Sequence, residues 1–208
     1  MKREIEPLSE AERQQYSSRA MELIRQIQGT GQAVGWHPTP DGVIEAALDR
    51  LALQAGDRLV DLGCGDGRVL VAAAKRGLDA VGVEADARLA VHAAGQVARV
   101  GPGRARVALG SFSDEKTLAL LEVEKARGVF LFLQPWALDA VMPMLRARLP
   151  AGARVVSYAF RPKLFRWRPE AVFEVAGFEE TTPARPLYLW RAPGPPRAKP
   201  ARVVPRGG

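Results

Sequence analysis

Seven residues, Asp61-Leu62-Gly63-Cys64-Gly65-Asp66-Gly67, constrain this chain more than any other stretch. An apolar run, Arg58-Leu59-Val60, leads in, and a helical pattern from Arg68 to Arg76 leads out. The order is strand, glycine-rich turn, helix. Glycine has no Cβ and tolerates positive φ, so the backbone of such a turn can come close to a ligand. The helix behind it presents free N–H groups at its N-terminus.

The spacing narrows the ligand. A dinucleotide-binding turn reads G-x-G-x-x-G and cradles a pyrophosphate. Here the run is Gly63-x-Gly65-x-Gly67, one residue tighter, with Asp61 ahead of it. An acid facing the turn repels phosphate. It suits a ligand with an ammonium group and a sulfonium charge, which is S-adenosylmethionine. The run resembles the first motif of class I S-adenosylmethionine-dependent methyltransferases; an ordinary βα turn is the other reading.

The next element supports the first reading. Ala80-Val81-Gly82-Val83-Glu84 has the pattern of a buried strand ending in an acid. A carboxylate at that point of a βαβ unit can accept both hydroxyls of a ribose. Glu84 lies 17 residues beyond Gly67, near the roughly 20 expected. A solvated loop acid is the alternative. Cys64, the single cysteine, cannot form an intrachain disulfide and reads as a small packing residue.

Among 208 residues, 47% are hydrophobic and 25% charged, values of an ordinary globular chain. No apolar run approaches the roughly 18 residues that cross a bilayer. The start, Met1-Lys2-Arg3-Glu4-Ile5-Glu6, lacks the apolar core of a signal peptide. A cytoplasmic location without membrane insertion is expected. The net charge of +7 raises the question of nucleic acid. Five of those charges, Arg191, Arg197, Lys199, Arg202 and Arg206, lie in a tail without acids, and removing them leaves +2. A broad nucleic-acid face is therefore not indicated.

Ser9-Glu10-Ala11-Glu12 has the form of a capping box and predicts a helix over 10–28. A loop rich in turn residues, 35–40, precedes a second amphipathic helix over 41–51. Beyond Glu84, the pattern predicts helices at 87–100, 116–124 and 137–149 and strands at 104–109, 129–133 and 154–158. The strand Val129-Phe130-Leu131-Phe132-Leu133 is apolar throughout, as in a central parallel strand covered on both faces. Segments 172–175 and 187–190 then read as two strands with no helix between them. The fold class is α/β: a three-layer, Rossmann-like seven-stranded sheet, mostly parallel, closed by a C-terminal antiparallel hairpin. Residues 1–34 form a helical extension, 35–191 the domain, and 192–208 a basic, Pro-rich tail expected to be disordered.

Ligands of an open parallel sheet sit beyond the C-terminal strand ends. Candidates after the second strand are Glu84 and Ala85. After the third they are Ser111 and Phe112, bordering an adenine; Phe112 reads equally as core. After the fourth come Gln134 and Trp136, and after the fifth Tyr158 and Phe160. Methyl transfer needs alignment and exclusion of water more than acid–base groups. An amine acceptor must arrive neutral, which an aromatic-walled channel favours by desolvation. Trp136, Tyr158, Phe160 and Trp36 could wall it, and Gln134 could accept a hydrogen bond from the amine. His37 is a candidate base or a structural loop residue. No metal site is expected, since two His and one Cys supply too few ligands.

A narrower resemblance spans about 36–191. It rests on Pro38-Thr39-Pro40, the heptad with Arg68-Val69, Phe130 to Trp136, Pro150 to Phe160, Trp167-Arg168-Pro169-Glu170 and Leu187-Tyr188-Leu189-Trp190. Together they resemble the small seven-stranded protein-lysine methyltransferases. The resemblance implies S-adenosylmethionine held by Thr39, Asp61, Gly63, Cys64, Gly65, Gly67, Glu84, Ala85, Ser111 and Phe112. It implies catalysis at Gln134, Trp136 and Tyr158 and a protein lysine as acceptor. Two other readings stay open: a methyltransferase acting on RNA or a small molecule, and a non-catalytic S-adenosylmethionine-binding module. Oligomeric state is not encoded legibly.

Overall fold

A computed structural model describes residues 37–101, 104–175 and 183–195. The expected helix at 10–28, Trp36 and residues 196–208 of the tail lie outside the described residues. Helix α1 (Asp41–Leu51) precedes strand β1 (Arg58–Leu62). Then follow α2 (Arg68–Lys75), β2 (Asp79–Glu84), α3 (Ala87–Ala98), β3 (Ala105–Leu109) and α4 (Glu115–Leu120). The remainder is β4 (Gly128–Leu131), α5 (Pro135–Arg148), β5 (Arg154–Tyr158), β6 (Ala171–Val175) and β7 (Arg185–Arg191).

The seven strands form one sheet in the order β3-β2-β1-β4-β5-β7-β6. All neighbours pair in parallel except β7, which runs antiparallel to both β5 and β6. Side chains alternate across a strand, and the cores follow that rule. Val60, Val129, Leu131 and Val155 face one layer with Leu138, Met142 and Leu145 of α5. Leu59, Phe130 and Val156 face the other, with Ile44 and Leu48 of α1 and Leu70 and Ala73 of α2. The apolar strand predicted to be central is β4, the fourth of seven, buried along its length.

Several boundaries differ from the sequence reading by a residue or two, and two of the differences change what an element contains. Strand β4 stops at Leu131, which pairs with Leu62, the last residue of β1. Phe132 and Leu133 lie past the end of β4. Gln134 is extended at φ −60°, ψ 153°, as the following Pro135 requires. The predicted helix at 116–124 breaks after Leu120. Glu122 adopts φ 48°, and a single 3-10 turn, Val123–Lys125, follows. The Glu122 carboxylate bonds Arg58 and Lys125 instead of continuing the helix.

Gly82 in β2 is where sheet and turn meet most tightly. A Cβ there would lie 2.7 Å from Leu70 Cδ1, 2.8 Å from Cys64 Cβ and 2.9 Å from Cys64 Sγ. Gly95, by contrast, is exposed on α3 with open space around it. Gly82→Ala is expected to lower the unfolding free energy by about 1–3 kcal/mol through overpacking. Gly95→Ala is expected to raise it by about 0.5–1 kcal/mol through helix propensity. Urea denaturation of both variants checks the pair.

Candidate cofactor and acceptor site

The heptad folds into a turn fastened to β2. The N–H groups of Gly63 and Cys64 both donate to the Val83 carbonyl, each at 2.9 Å. Gly63, Gly65 and Gly67 have φ of 83°, 55° and 82°, the left-handed region that glycine enters without strain. A Cβ on Gly63 would meet Leu133 Cδ2 at 3.0 Å, and one on Gly67 would meet Ala93 Cβ at 3.0 Å. The turn thus lies between β2 and the end of β4. It sits at the point where strand order reverses, the place where open α/β sheets bind ligands. Cys64 is 5% exposed, and its thiol is pushed up by burial and by the charges of Asp61 and Glu84. That is a packing residue, with no thiolate character at neutral pH.

Asp61, on β1, is 2% exposed and takes no hydrogen bond from the described residues. Burial, then the charges of Glu84 and Asp66, push its carboxyl well above the usual range. An uncompensated buried acid is costly unless a cation meets it. Glu84 is held on two sides. Its Oε2 accepts the Gly65 N–H and its Oε1 the Asp86 N–H, both at 2.9 Å. Each oxygen keeps a further lone pair for a ligand hydroxyl. The solvated-loop reading of Glu84 does not describe a carboxylate that staples two turns together.

Burial alone would raise the Asp66 carboxyl, but the Arg68 guanidinium clasps it through Nε and Nη2 and holds it below the usual range. Arg68 Nη1 also donates to the Thr39 carbonyl at 3.2 Å, tying the 37–40 loop to the turn. Thr39 is buried beside it, at 6% exposure. Sequence reasoning gave Arg68 only a place in the helix. Its signal was a cation at a helix N-terminus, where the dipole disfavours one without a partner. Ala85 is exposed in the turn that Glu84 organises. Ser111 bonds Ser113 Oγ at 2.6 Å and accepts the Ser113 N–H at 3.2 Å, so its hydroxyl shapes its own loop. Phe112 is half-buried against the core.

At the ends of β4 and β5 the aromatic residues cluster. Phe132 and Tyr158 meet at 4.9 Å between centroids, tilted by 58°, and Phe132 stacks on Phe160 at 6.4 Å. Tyr158 is 0% exposed and belongs to the core beneath Phe132, which leaves Phe132 and Phe160 as the half-buried rings. Phe132 was read as strand core because the strand was drawn too long. Gln134 and Trp136 flank the start of α5, both half-buried, and the Gln134 side chain makes no cap bond. Ala159 holds φ 64°, the Phe160 N–H donates to the Tyr158 carbonyl at 2.8 Å, and Ser157 Oγ donates to the Phe160 carbonyl at 2.8 Å. That is a γ-turn with a non-glycine residue at positive φ, a strained device that aims Phe160. His37 is exposed.

Comparison with known proteins bears on the family, the fold and the cofactor. The ANTKMT methyltransferase domain matches residues 61–171, just over half of the chain. The chain is 32% identical over 160 residues to a protein-lysine N-methyltransferase of Saccharolobus islandicus, covering 76% of this chain and 92% of that one. It is 36% identical over 130 residues to the adenine nucleotide translocase lysine N-methyltransferase of Mus musculus, covering 62% of this chain and 53% of that protein. Its fold superposes with TM-score 0.64 and 27% identity on an RNA methyltransferase of Salinibacter ruber solved in complex with S-adenosyl-L-homocysteine, over 81% of this chain and 99% of that one. The cofactor is S-adenosylmethionine, and the residues fit it: a buried acid without a partner, an oriented second carboxylate and a turn that only glycine can make. A match across more than half the chain, and a relative covered almost end to end, place the protein in a family: it belongs to the ANTKMT methyltransferase domain family of S-adenosylmethionine-dependent methyltransferases.

Proposed function

We propose that the protein transfers a methyl group to the side-chain amino group of lysine in a protein. The observation that carries this is the aromatic end of β4 and β5, where Phe132 and Phe160 stack and the chain runs on to Gln134. A lysine ammonium entering between such rings loses hydration, and desolvation favours its neutral, nucleophilic form. The lysine acceptors in the names of the two relatives support the same reading.

S-adenosylmethionine supplies, when bound, a methyl group already activated by its sulfonium charge. In the proposed reading Asp61 and the backbone of Gly63 to Gly67 hold the methionyl ammonium. Cys64 packs the turn, with Thr39 and Ala85 along its rim. Glu84 receives the ribose hydroxyls, and Ser111 and Phe112 border the adenine. The Gln134 side-chain carbonyl accepts a hydrogen bond from the incoming amine and points its lone pair. Trp136 narrows the entrance. Tyr158 supports Phe132 from below and is a positioning residue. No helix among the described residues is long and apolar enough to cross a membrane, and the proposed site of action is the cytoplasm.

Extract incubated with the protein and isotopically labelled S-adenosylmethionine is expected to carry label on protein lysine, read by mass spectrometry. Label confined to RNA would replace this reading with the nucleic-acid one. Glu84→Ala is expected to weaken S-adenosylmethionine binding by about 2–4 kcal/mol, since a charged hydrogen-bond acceptor is lost. It also loses the staple to Gly65, so its melting temperature falls. Calorimetric titration beside a thermal melt separates the two effects.

Asp61 makes a pH-dependent prediction. Its carboxyl is raised in the folded protein, so the fold holds that proton more tightly than the unfolded chain does. Stability from this group is present at low pH and lost as pH rises toward the raised value. Asp61→Asn is therefore expected to raise the melting temperature of the free protein at neutral pH, by about 2–4 °C for each kcal/mol relieved. The same variant loses the charge that meets the ammonium. Wild-type affinity for S-adenosylmethionine is expected to fall on acidification, and the variant to bind weakly without that limb.

A further inference from the structure

The connection from β5 to β6, residues 159–170, is unusual for this sheet. β6 runs in the same direction as β5, on the far side of β7, so the chain must return from the C-terminal to the N-terminal ends of the strands. Such returns are usually helices. This one is irregular, with no helix, and its side chains differ in depth between Arg161 and Arg168. Pro162, Phe165 and Trp167 are buried, whereas Arg161, Lys163, Leu164, Arg166 and Arg168 are exposed. The buried side is anchored. Asp139 of α5 accepts the N–H groups of Leu164 and Phe165 at 2.8 and 2.9 Å, and the Trp190 indole donates to the Trp167 carbonyl at 2.8 Å. The path is fixed from below, and four cations stand above it along a groove of about 380 Å³.

Those four cations pair with no carboxylate among the described residues. The acid that follows, Glu170, is taken up by Arg191 at 2.8 and 3.0 Å. The segment that lines the groove also begins at Arg161, the residue after Phe160 in the chain. The strip thus puts positive charge next in the chain to the aromatic end, which suits a polypeptide with acidic residues beside its lysine.

We propose that this strip docks an acidic stretch of the methyl-accepting protein, whose Asp and Glu side chains pair with Arg161, Lys163, Arg166 and Arg168. The proposal rests on the lysine reading above. Guanidinium groups suit it, since they take carboxylates in two-pronged bonds. Single-stranded nucleic acid fits less well. It needs open aromatic faces for base stacking, and here Phe165 is 4% and Trp167 9% exposed.

The test uses two fluorescent peptides with one central lysine, flanked by Glu in one and by Gln in the other, and an oligouridylate of equal length. Binding is read by anisotropy and methylation of each peptide by mass spectrometry. The full chain is expected to bind the Glu peptide about tenfold tighter than the Gln peptide at low salt. The preference should shrink as salt is raised from about 50 to 300 mM. It should vanish in the variant carrying Arg161→Gln, Lys163→Gln, Arg166→Gln and Arg168→Gln, with S-adenosylmethionine affinity unchanged. A preference that survives the four substitutions overturns the docking strip. So does oligouridylate binding that exceeds that of the Glu peptide and is lost in the variant. Lysine methylation that ignores both flank and variant overturns the strip while leaving the lysine acceptor standing. Charge-dependent binding with no methylated lysine on either peptide overturns the acceptor instead.

Discussion

One contact organises the site: the seating of the glycine turn on β2. The Val83 carbonyl takes two N–H groups from the turn, and the missing side chain of Gly82 makes room for Cys64. Without that room the turn would ride above the sheet. Asp61 would then lose the wall that keeps it dry, and Glu84 could not reach the Gly65 N–H. Three glycines in the heptad give the turn its shape, but a fourth, outside it, sets its height.

Negative charge is concentrated against that turn at some cost to the free protein. Asp61 is buried without a partner, whereas Asp66 is paired with Arg68 and Glu84 is hydrogen-bonded by backbone donors. The structure thus leaves one carboxylate unsatisfied and settles the others. Such an arrangement stores unfavourable electrostatic energy that a cation can release. The ligand's positive charge then stabilises the fold as well as filling the site, by mass action.

The heptad, Glu84 and the central β4 were legible in the sequence because each rests on local chemistry: glycine geometry, strand-end position and unbroken apolar character. The mostly parallel sheet with its closing antiparallel hairpin followed from the alternation of elements. What stayed hidden depends on partners distant in sequence. Phe132 lies just past the end of β4, level with the end of its neighbour β1 at Leu62. Tyr158 reads as a strand-end aromatic, yet it points into the core beneath Phe132. Ser111 spends its hydroxyl on Ser113, two residues away, a competition that residue type alone does not reveal. The helix expected at 116–124 ends at Leu120, and Glu122 beyond it, at φ 48°, bonds Arg58 from far earlier in the chain.

The depth-sorted segment from Arg161 to Arg168 separates two kinds of inheritance. Its inward residues are tied to Trp190, Asp139 and the core, so exchanging them would disturb packing. Its outward residues touch little, so their charge can drift, invert or disappear while the fold is kept. A family built on this sheet could therefore change its clientele by rewriting the outward letters of one surface strip, leaving the cofactor half of the molecule untouched.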